Sequence, residues 1–282
     1  TVSKVTEAGA RAAGTPGLIS TQQAESIART ASAAGKAFEQ IAPREEYYIG
    51  RAVAASILAT YTPCDNPRAN AYVNLVGQTL ARASDKPETF GGYHFLIMDT
   101  QEINAFAAPG GLILVSRGLL RCCRSEDALA AVLAHESGHV QHAHGLQAIK
   151  KSRLTSAFTI LAAESAKSLG GEDLRELTRA FEGSIGDITQ TLVNSGYSRK
   201  FESEADRAAV QIMQRVGYNP RGLVDMLSRM DALMQPADQG FGKTHPDPAD
   251  RVADVEPLVQ AYPQLAPPTE RRARFAEALA GI

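Results

Sequence analysis

The segment Ser125–Gly145 constrains this chain more than any other. Ser125 is a good helix N-cap, Glu126 and Asp127 follow where they offset the helix dipole, and Ala128, Leu129, Val132, Leu133 and Val140 form an apolar face. Gly145 is the expected stop. Within this helix stand His135, Glu136 and His139. Positions i and i+4 lie one above the other on a helix face, so the two imidazoles converge on one point. That spacing suits two ligands of a tetrahedral zinc, and Glu136, one residue further round, can reach a water on the metal.

Two histidines do not complete such a site, because a catalytic zinc needs a third protein ligand and an open position for water. One known arrangement places a third His six residues past the second, after a Gly three residues past it. Here those positions hold Gly145 and His142, so that arrangement fails. The alternative is a Glu from a separate downstream helix, and Phe201-Glu202-Ser203-Glu204-Ala205-Asp206 supplies it. Glu202 and Asp206 share one face of the predicted helix. Glu202 is the expected third ligand, and Asp206 the carboxylate that accepts a hydrogen bond from a ligand imidazole and fixes its ring. Glu204 points elsewhere and reads as a solvated charge.

His245, in Thr244-His245-Pro246-Asp247-Pro248, has two readings if its loop folds back over the metal. It can stabilise an oxyanion as a catalytic residue, or occupy the fourth metal position in a resting form. His142 and His144 lack the phase to join His135 and His139 on one helix face. His144 therefore reads as a packing or capping residue, His142 as solvent-facing, and His94 as a core or edge residue of a strand.

The rest of the chain narrows the setting. At 44% hydrophobic and 21% charged residues it reads as an ordinary globular protein. A formal net charge of -2, no Trp and 6% aromatic residues leave no footprint for nucleic acid. No apolar run approaches the length of a transmembrane span. A start at Thr1 is expected of a processed or trimmed chain, whose upstream signal or anchor is then not in view. The three cysteines contain no Cys-x-x-Cys, which disfavours a cysteine zinc site, and a bridge between the neighbours Cys122 and Cys123 is disfavoured by strain.

Residues 1–40, rich in Ala, Gly, Ser and Thr, read as a flexible segment with a helix over 21–40. Residues 41–282 read as one domain. Helices are predicted over 43–60, 67–83, 125–145, 199–216 and 220–234, with Gly-interrupted helix over 146–195, a loop over 236–248 and one or two closing helices. Strands are predicted at 93–99, 104–106 and 112–116. The fold class is therefore α+β, mostly helical, with a small antiparallel sheet beside the histidine helix.

The ordered set His135-Glu136-x-x-His139, Glu202-x-x-Ala205-Asp206, and His245-Pro246 ahead of Arg251 resembles the HtpX, CAAX-prenyl-protease and Oma-type zinc metallopeptidases. So do Asn104-Ala105-Phe106-Ala107 with Pro109-Gly110-Gly111 before the helix, and Tyr197-Ser198-Arg199 before Glu202. The resemblance runs from about Tyr47 to Leu258. It implies a gluzincin-like fold, one Zn2+ per chain, Glu136 as general base, and polypeptide substrates. It also implies substrate binding along a sheet edge, for which the segment with Asn104, Ala105, Phe106, Gly110 and Gly111, together with 112–116, is the candidate. The missing membrane spans point to the soluble bacterial branch of the family. That branch is periplasmic or envelope-associated, with peripheral membrane attachment, and acts in envelope protein quality control.

Two other readings stand beside this. A chaperone or assembly factor could keep zinc mainly as structure, although such a site has no use for Glu136. A latent peptidase could be held by His245 or by a covering loop from 165–187.

Overall fold

Proline at N1 and a carboxylate or amide at the helix start recur through this chain, and they set where its elements begin. The computed structural model describes residues 41–149, 182–233, 245, 247–263 and 268–282. Helix α1 (Pro43–Leu58) opens with proline, and Glu45 Oε2 accepts the Ala42 N–H at 3.0 Å. Helix α2 (Pro67–Arg82) is capped by Asn66, whose side chain accepts the Ala69 N–H at 3.0 Å. The chain divides into two compact units, Thr1–Ile41 with Ile149–Ser184, and Ala42–Ala148 with Ile185–Ile282. Nearly all of the first lies outside the described residues, and with it the helix expected over 21–40. The second carries everything below.

Strands β1 (His94–Met98), β2 (Ala105–Ala108) and β3 (Leu112–Ser116) form a sheet of order β1-β3-β2. The expected antiparallel sheet is instead mixed: β2 pairs antiparallel with β3, but β1 pairs parallel with it, His94 opposite Leu112 and Met98 opposite Ser116. Pro109-Gly110-Gly111 closes a hairpin between β2 and β3, with φ of 76° at Gly110 and 94° at Gly111. Residues 99–104 first carry the chain past the end of β3, so β3 returns between the other two. Because β3 is paired on both sides, 112–116 cannot serve as a sheet edge, which corrects that expectation.

The outer edge of β1 is closed by α2. Asn74 Oδ1 accepts the Phe95 N–H at 3.0 Å while its amide donates to the Phe95 carbonyl, and Asn70 Oδ1 accepts the Ile97 N–H at 2.9 Å. Four residues of helix rise about 6 Å and two of strand about 6.6 Å, so an i, i+4 asparagine pair matches alternate strand residues. Cys64 N–H takes the Ile97 carbonyl at 2.8 Å. An edge so occupied cannot recruit another strand.

After the short α3 (Arg117–Cys122), helix α4 (Glu126–Gln141) begins at Ser125, which accepts the Ala128 N–H at 3.1 Å. The expected single apolar face is too narrow a description. Every residue from Glu126 to Val140 is buried, so α4 is the central helix. Its small residues admit neighbours closely: a Cβ on Gly138 would stand 3.0 Å from the Ala205 carbonyl oxygen of helix α6 (Arg199–Arg215). Around α4 also lie α7 (Arg221–Leu233), α8 (Pro248–Val259) and α9 (Thr269–Ala278). The three cysteines are buried and free.

Helix α4 does not run to Gly145. Ala143 adopts φ 53°, ψ 35°, a left-handed conformation that non-glycine residues rarely take, and a short α5 (His144–Gln147) restarts behind it. Residues 182–190 are helical and pass into a π-helical turn, Thr191–Ser195; 150–181, most of the remaining Gly-interrupted stretch, lie outside the described residues.

Candidate metal centre

Buried apolar packing holds α4 against α6, and the contact brings four side chains from three segments to one point. His135 Nε2 and His139 Nε2, from α4, face each other at 3.1 Å. Glu202, from α6, places Oε2 at 3.5 Å from His135 Nε2 and Oε1 at 3.5 Å from His139 Nε2. His245 Nδ1 lies 2.8 Å from Glu202 Oε2. One nitrogen or oxygen of each of these four buried residues lies within 4.8 Å of those of the others. Glu136 is buried beside them, and it lines a narrow cleft with Ala105, Ala107, Leu192, Gly196, Tyr197 and His245.

The cluster fits a metal ion on its own terms. Glu202 Oε1 is buried and accepts no hydrogen bond among the described residues. Two imidazole nitrogens meeting at 3.1 Å are either sharing a proton or sharing a cation. A buried carboxylate oxygen with no donor is expensive unless a charge satisfies it. Histidine nitrogens with a carboxylate are the donor set of divalent zinc-like ions.

Behind these donors sits a layer of charge. His135 Nδ1 is 2.9 Å from Asp206 Oδ1, and Arg251, from α8, holds Asp206 through two bonds, Nη2 to Oδ1 at 2.6 Å and Nε to Oδ2 at 3.0 Å. Arg251 Nη1 lies 3.5 Å from Glu202 Oε2. Burial and Arg251 work against a proton on His135, but Asp206 and Glu202 outweigh them and raise its pKa to about 9. Burial likewise opposes charge on Asp206, yet Arg251 and His135 hold it at about 2. Glu202 is kept well below the usual carboxylate range by His245, His135 and His139 despite its burial. Glu136 moves the other way: burial raises it. Burial drives His139 well below the ordinary imidazole value.

His139 has its own neighbours. Tyr197 stacks on its ring, centroids 4.3 Å apart, and His139 Nδ1 is 2.9 Å from His144 Nδ1. His144 is fully buried, in line with the packing reading, and its Nε2 is 3.1 Å from Glu204 Oε2, so Glu204 is not simply a solvated charge. Burial lowers His144 to about 4 in spite of Glu204. His142 is half-buried and stacked on His144, where a solvent-facing residue was expected. His94 stays at the strand edge, its Nε2 2.8 Å from the Gly91 carbonyl.

Of the expected substrate residues, Ala105 lines the cleft. Phe106 points to the other face of β2, its ring 5.7 Å from Tyr61. Asn104 is buried, and its Oδ1 accepts the N–H of Ala105 at 2.9 Å. Gly110 and Gly111 stay in the hairpin turn, Gly110 N–H donating to Glu46 Oε1 of α1 at 3.2 Å.

A family profile, Peptidase family M48, matches residues 67–259, which span every one of these clustered residues. The chain belongs to this family. Membership in peptidase family M48 implies a metal cofactor and polypeptide substrates, as the resemblance of the motifs predicts. The chain is 28% identical over 193 residues to the beta-barrel assembly-enhancing protease of Escherichia coli K12, covering 68% of this chain and 39% of that protein. It is 34% identical over 159 residues to the mitochondrial metalloendopeptidase OMA1 of Schizosaccharomyces pombe, covering 54% and 42%. It is 29% identical over 162 residues to the metalloprotease YcaL of Escherichia coli, covering 57% and 60%. The chain thus spans less than two thirds of the length of each. Among the described residues no helix is long and apolar enough to cross a membrane.

Proposed function

We infer that this M48 chain is a zinc endopeptidase that hydrolyses peptide bonds in unfolded or misassembled envelope proteins. The observation that carries the reading is the pair of facing Nε2 atoms with Glu202 Oε1 unsatisfied beside them and Glu136 next in line. His135, His139 and Glu202 are the ligands in this reading. Zinc, when bound, supplies a Lewis acid that brings the pKa of water from ~15.7 toward ~7. Glu136, buried and raised, takes the proton from the attacking water and passes it to the leaving amine. Asp206 and Arg251 hold His135 with its proton on Nδ1 and its Nε2 free to ligate.

The extended substrate would lie along β2. The β1 edge is closed by asparagines, so β2 has the remaining edge of the sheet. The Ser116 N–H donates to the Asn104 carbonyl at 3.0 Å, so by alternation Phe106 and Ala108 face β3 while Ala105 and Ala107 turn their main chain outward. The Ala105 N–H is held by Asn104 Oδ1, so a substrate strand would pair with the Ala105 carbonyl and with Ala107. Strand addition there suits a peptidase that reads backbone more than side chains.

The assignment is tested by measuring bound metal and casein hydrolysis for the protein and for Glu136→Gln. One zinc per chain in both, with hydrolysis only in the parent, is the expected result; absence of tightly bound metal in either refutes the site. A latent form is a second reading, favoured by His245, which is buried and only 2.8 Å from Glu202. His245→Ala then gains hydrolysis if His245 blocks the metal, and loses it if His245 stabilises the oxyanion. Residence in the periplasm or at the envelope, with peripheral membrane attachment, is the corresponding location, checked by cell fractionation. A zinc-bearing chaperone with little peptidase activity would suppress aggregation equally well with Glu136→Gln.

A further inference from the structure

In a continuous helix, residues five apart point about 140° away from each other around the axis. His139 and His144 are five apart and nevertheless touch, Nδ1 to Nδ1 at 2.9 Å. The left-handed turn at Ala143 makes this happen: it stops α4 and folds the next residue back beneath the ligand helix. A non-glycine residue rarely adopts that conformation, so surrounding interactions must hold it there. His144 is fully buried, its ring stacked on Phe201 at 4.3 Å, and its other nitrogen lies 3.1 Å from Glu204 Oε2. Lys200 Nζ lies 3.6 Å from the second oxygen of Glu204.

The proton positions along this row are fixed from one end. If His139 ligates through Nε2, its proton is on Nδ1 and is donated to His144 Nδ1. His144 Nδ1 then carries a lone pair, so its proton is on Nε2 and is donated to Glu204. Every donor meets an acceptor, and the row ends on a carboxylate. We propose that His144 and Glu204 are a positioning pair for His139, setting its tautomer and ring orientation as Asp206 and Arg251 do for His135. The inference rests on His139 being a metal ligand. The two imidazoles thus have unlike supports: one a buried carboxylate clamped by arginine, the other a neutral imidazole leading to a half-exposed carboxylate.

The test is zinc affinity of the full chain by chelator competition, with zinc as the sole probe, for the parent, His139→Ala, His144→Phe, His144→Asn and Glu204→Gln. His144→Phe keeps the stack on Phe201 and removes both hydrogen bonds, and it is expected to weaken zinc binding 10–100-fold. His144→Asn retains an acceptor at the Nδ1 position and is expected to recover most of that loss, which a purely structural role would not predict. Glu204→Gln is expected to show a smaller loss in the same direction. Parent-like affinity in His144→Phe, with loss in His139→Ala, overturns the pair alone; parent-like affinity in His139→Ala overturns the ligand assignment and the pair with it. If His144→Phe does not fold, nitrogen-15 spectra of the unaltered zinc-loaded protein decide. The proton is expected on His139 Nδ1 and His144 Nε2, and a proton on His144 Nδ1 refutes the arrangement.

Discussion

Arg251 is buried among acids, and its guanidinium is shared between Asp206 through two hydrogen bonds and Glu202 at 3.5 Å. Removing one member of such a group leaves an uncompensated charge in a dry site, which costs more than the pair contributes when intact. Arg251→Met is therefore expected to destabilise the metal-free protein by about 3–5 kcal/mol, read from its denaturant midpoint. Asp206→Asn keeps an acceptor for His135 but leaves the buried Arg251 under-compensated, so it is expected to lower zinc affinity about 10–100-fold and to shift the denaturant midpoint in the same direction as Arg251→Met. Sequence spacing was enough to bring His135 with His139, and Glu202 with Asp206, because each pair lies on one uninterrupted helix. The same reasoning gave His144 as a packing residue, which it is, but missed its contacts with His139 and Glu204. It measured His144 along a helix that in fact breaks at Ala143, where neither glycine nor proline marks the break. Arg251 was visible only as part of a family motif, since nothing local to it reveals an acid on another helix.

Two breaks in regularity decide how the elements meet. Ala143 occupies a conformation that suits glycine, so Ala143→Gly is expected to leave stability unchanged or improved, where the same change inside a helix costs roughly 1 kcal/mol. Urea unfolding checks the sign, and a loss near 1 kcal/mol would show that the turn is not strained. The second break is at β1, whose outer edge binds the side chains of a helix in place of another strand. Asn74→Ala leaves both the N–H and the carbonyl of Phe95 without that partner, and a cost of about 1–3 kcal/mol is expected, with faster amide exchange at Phe95. Strand positions could be read from alternation and turn residues. The sheet order could not, because it depends on which strand the 109–111 hairpin lays against β1, and on a match between helix rise and strand rise that no single segment contains.

Over the whole molecule, the helix that carries the histidines is held at its start by the end of the chain. Glu126, at the first turn of α4 and wholly buried, accepts hydrogen bonds from Tyr72 at 2.6 Å, Tyr218 at 2.8 Å and Arg274 of α9, while Arg271 pairs with Asp127 at 2.8 Å and lies over the Tyr218 ring. Burial alone would raise the Glu126 pKa, but Arg274 and the two tyrosine hydroxyls bring it below the usual value. A carboxylate depressed in the folded state stabilises at pH above its ordinary value near 4.5, and that contribution is lost as pH falls through the folded value. Glu126→Gln is thus expected to lower stability by about 1.5–3 kcal/mol at pH 7 and to flatten the decline in melting temperature below pH 4.5. The cluster at the other end of α4 is also assembled across the sequence, since Arg251 stands 116 residues beyond His135. During synthesis, His135 and His139 leave the ribosome long before Glu202, His245 and Arg251 exist to complete the centre. In a chain of this order the two histidines wait for partners that lie 63 or more positions further on, and the buried cluster closes only once those have followed.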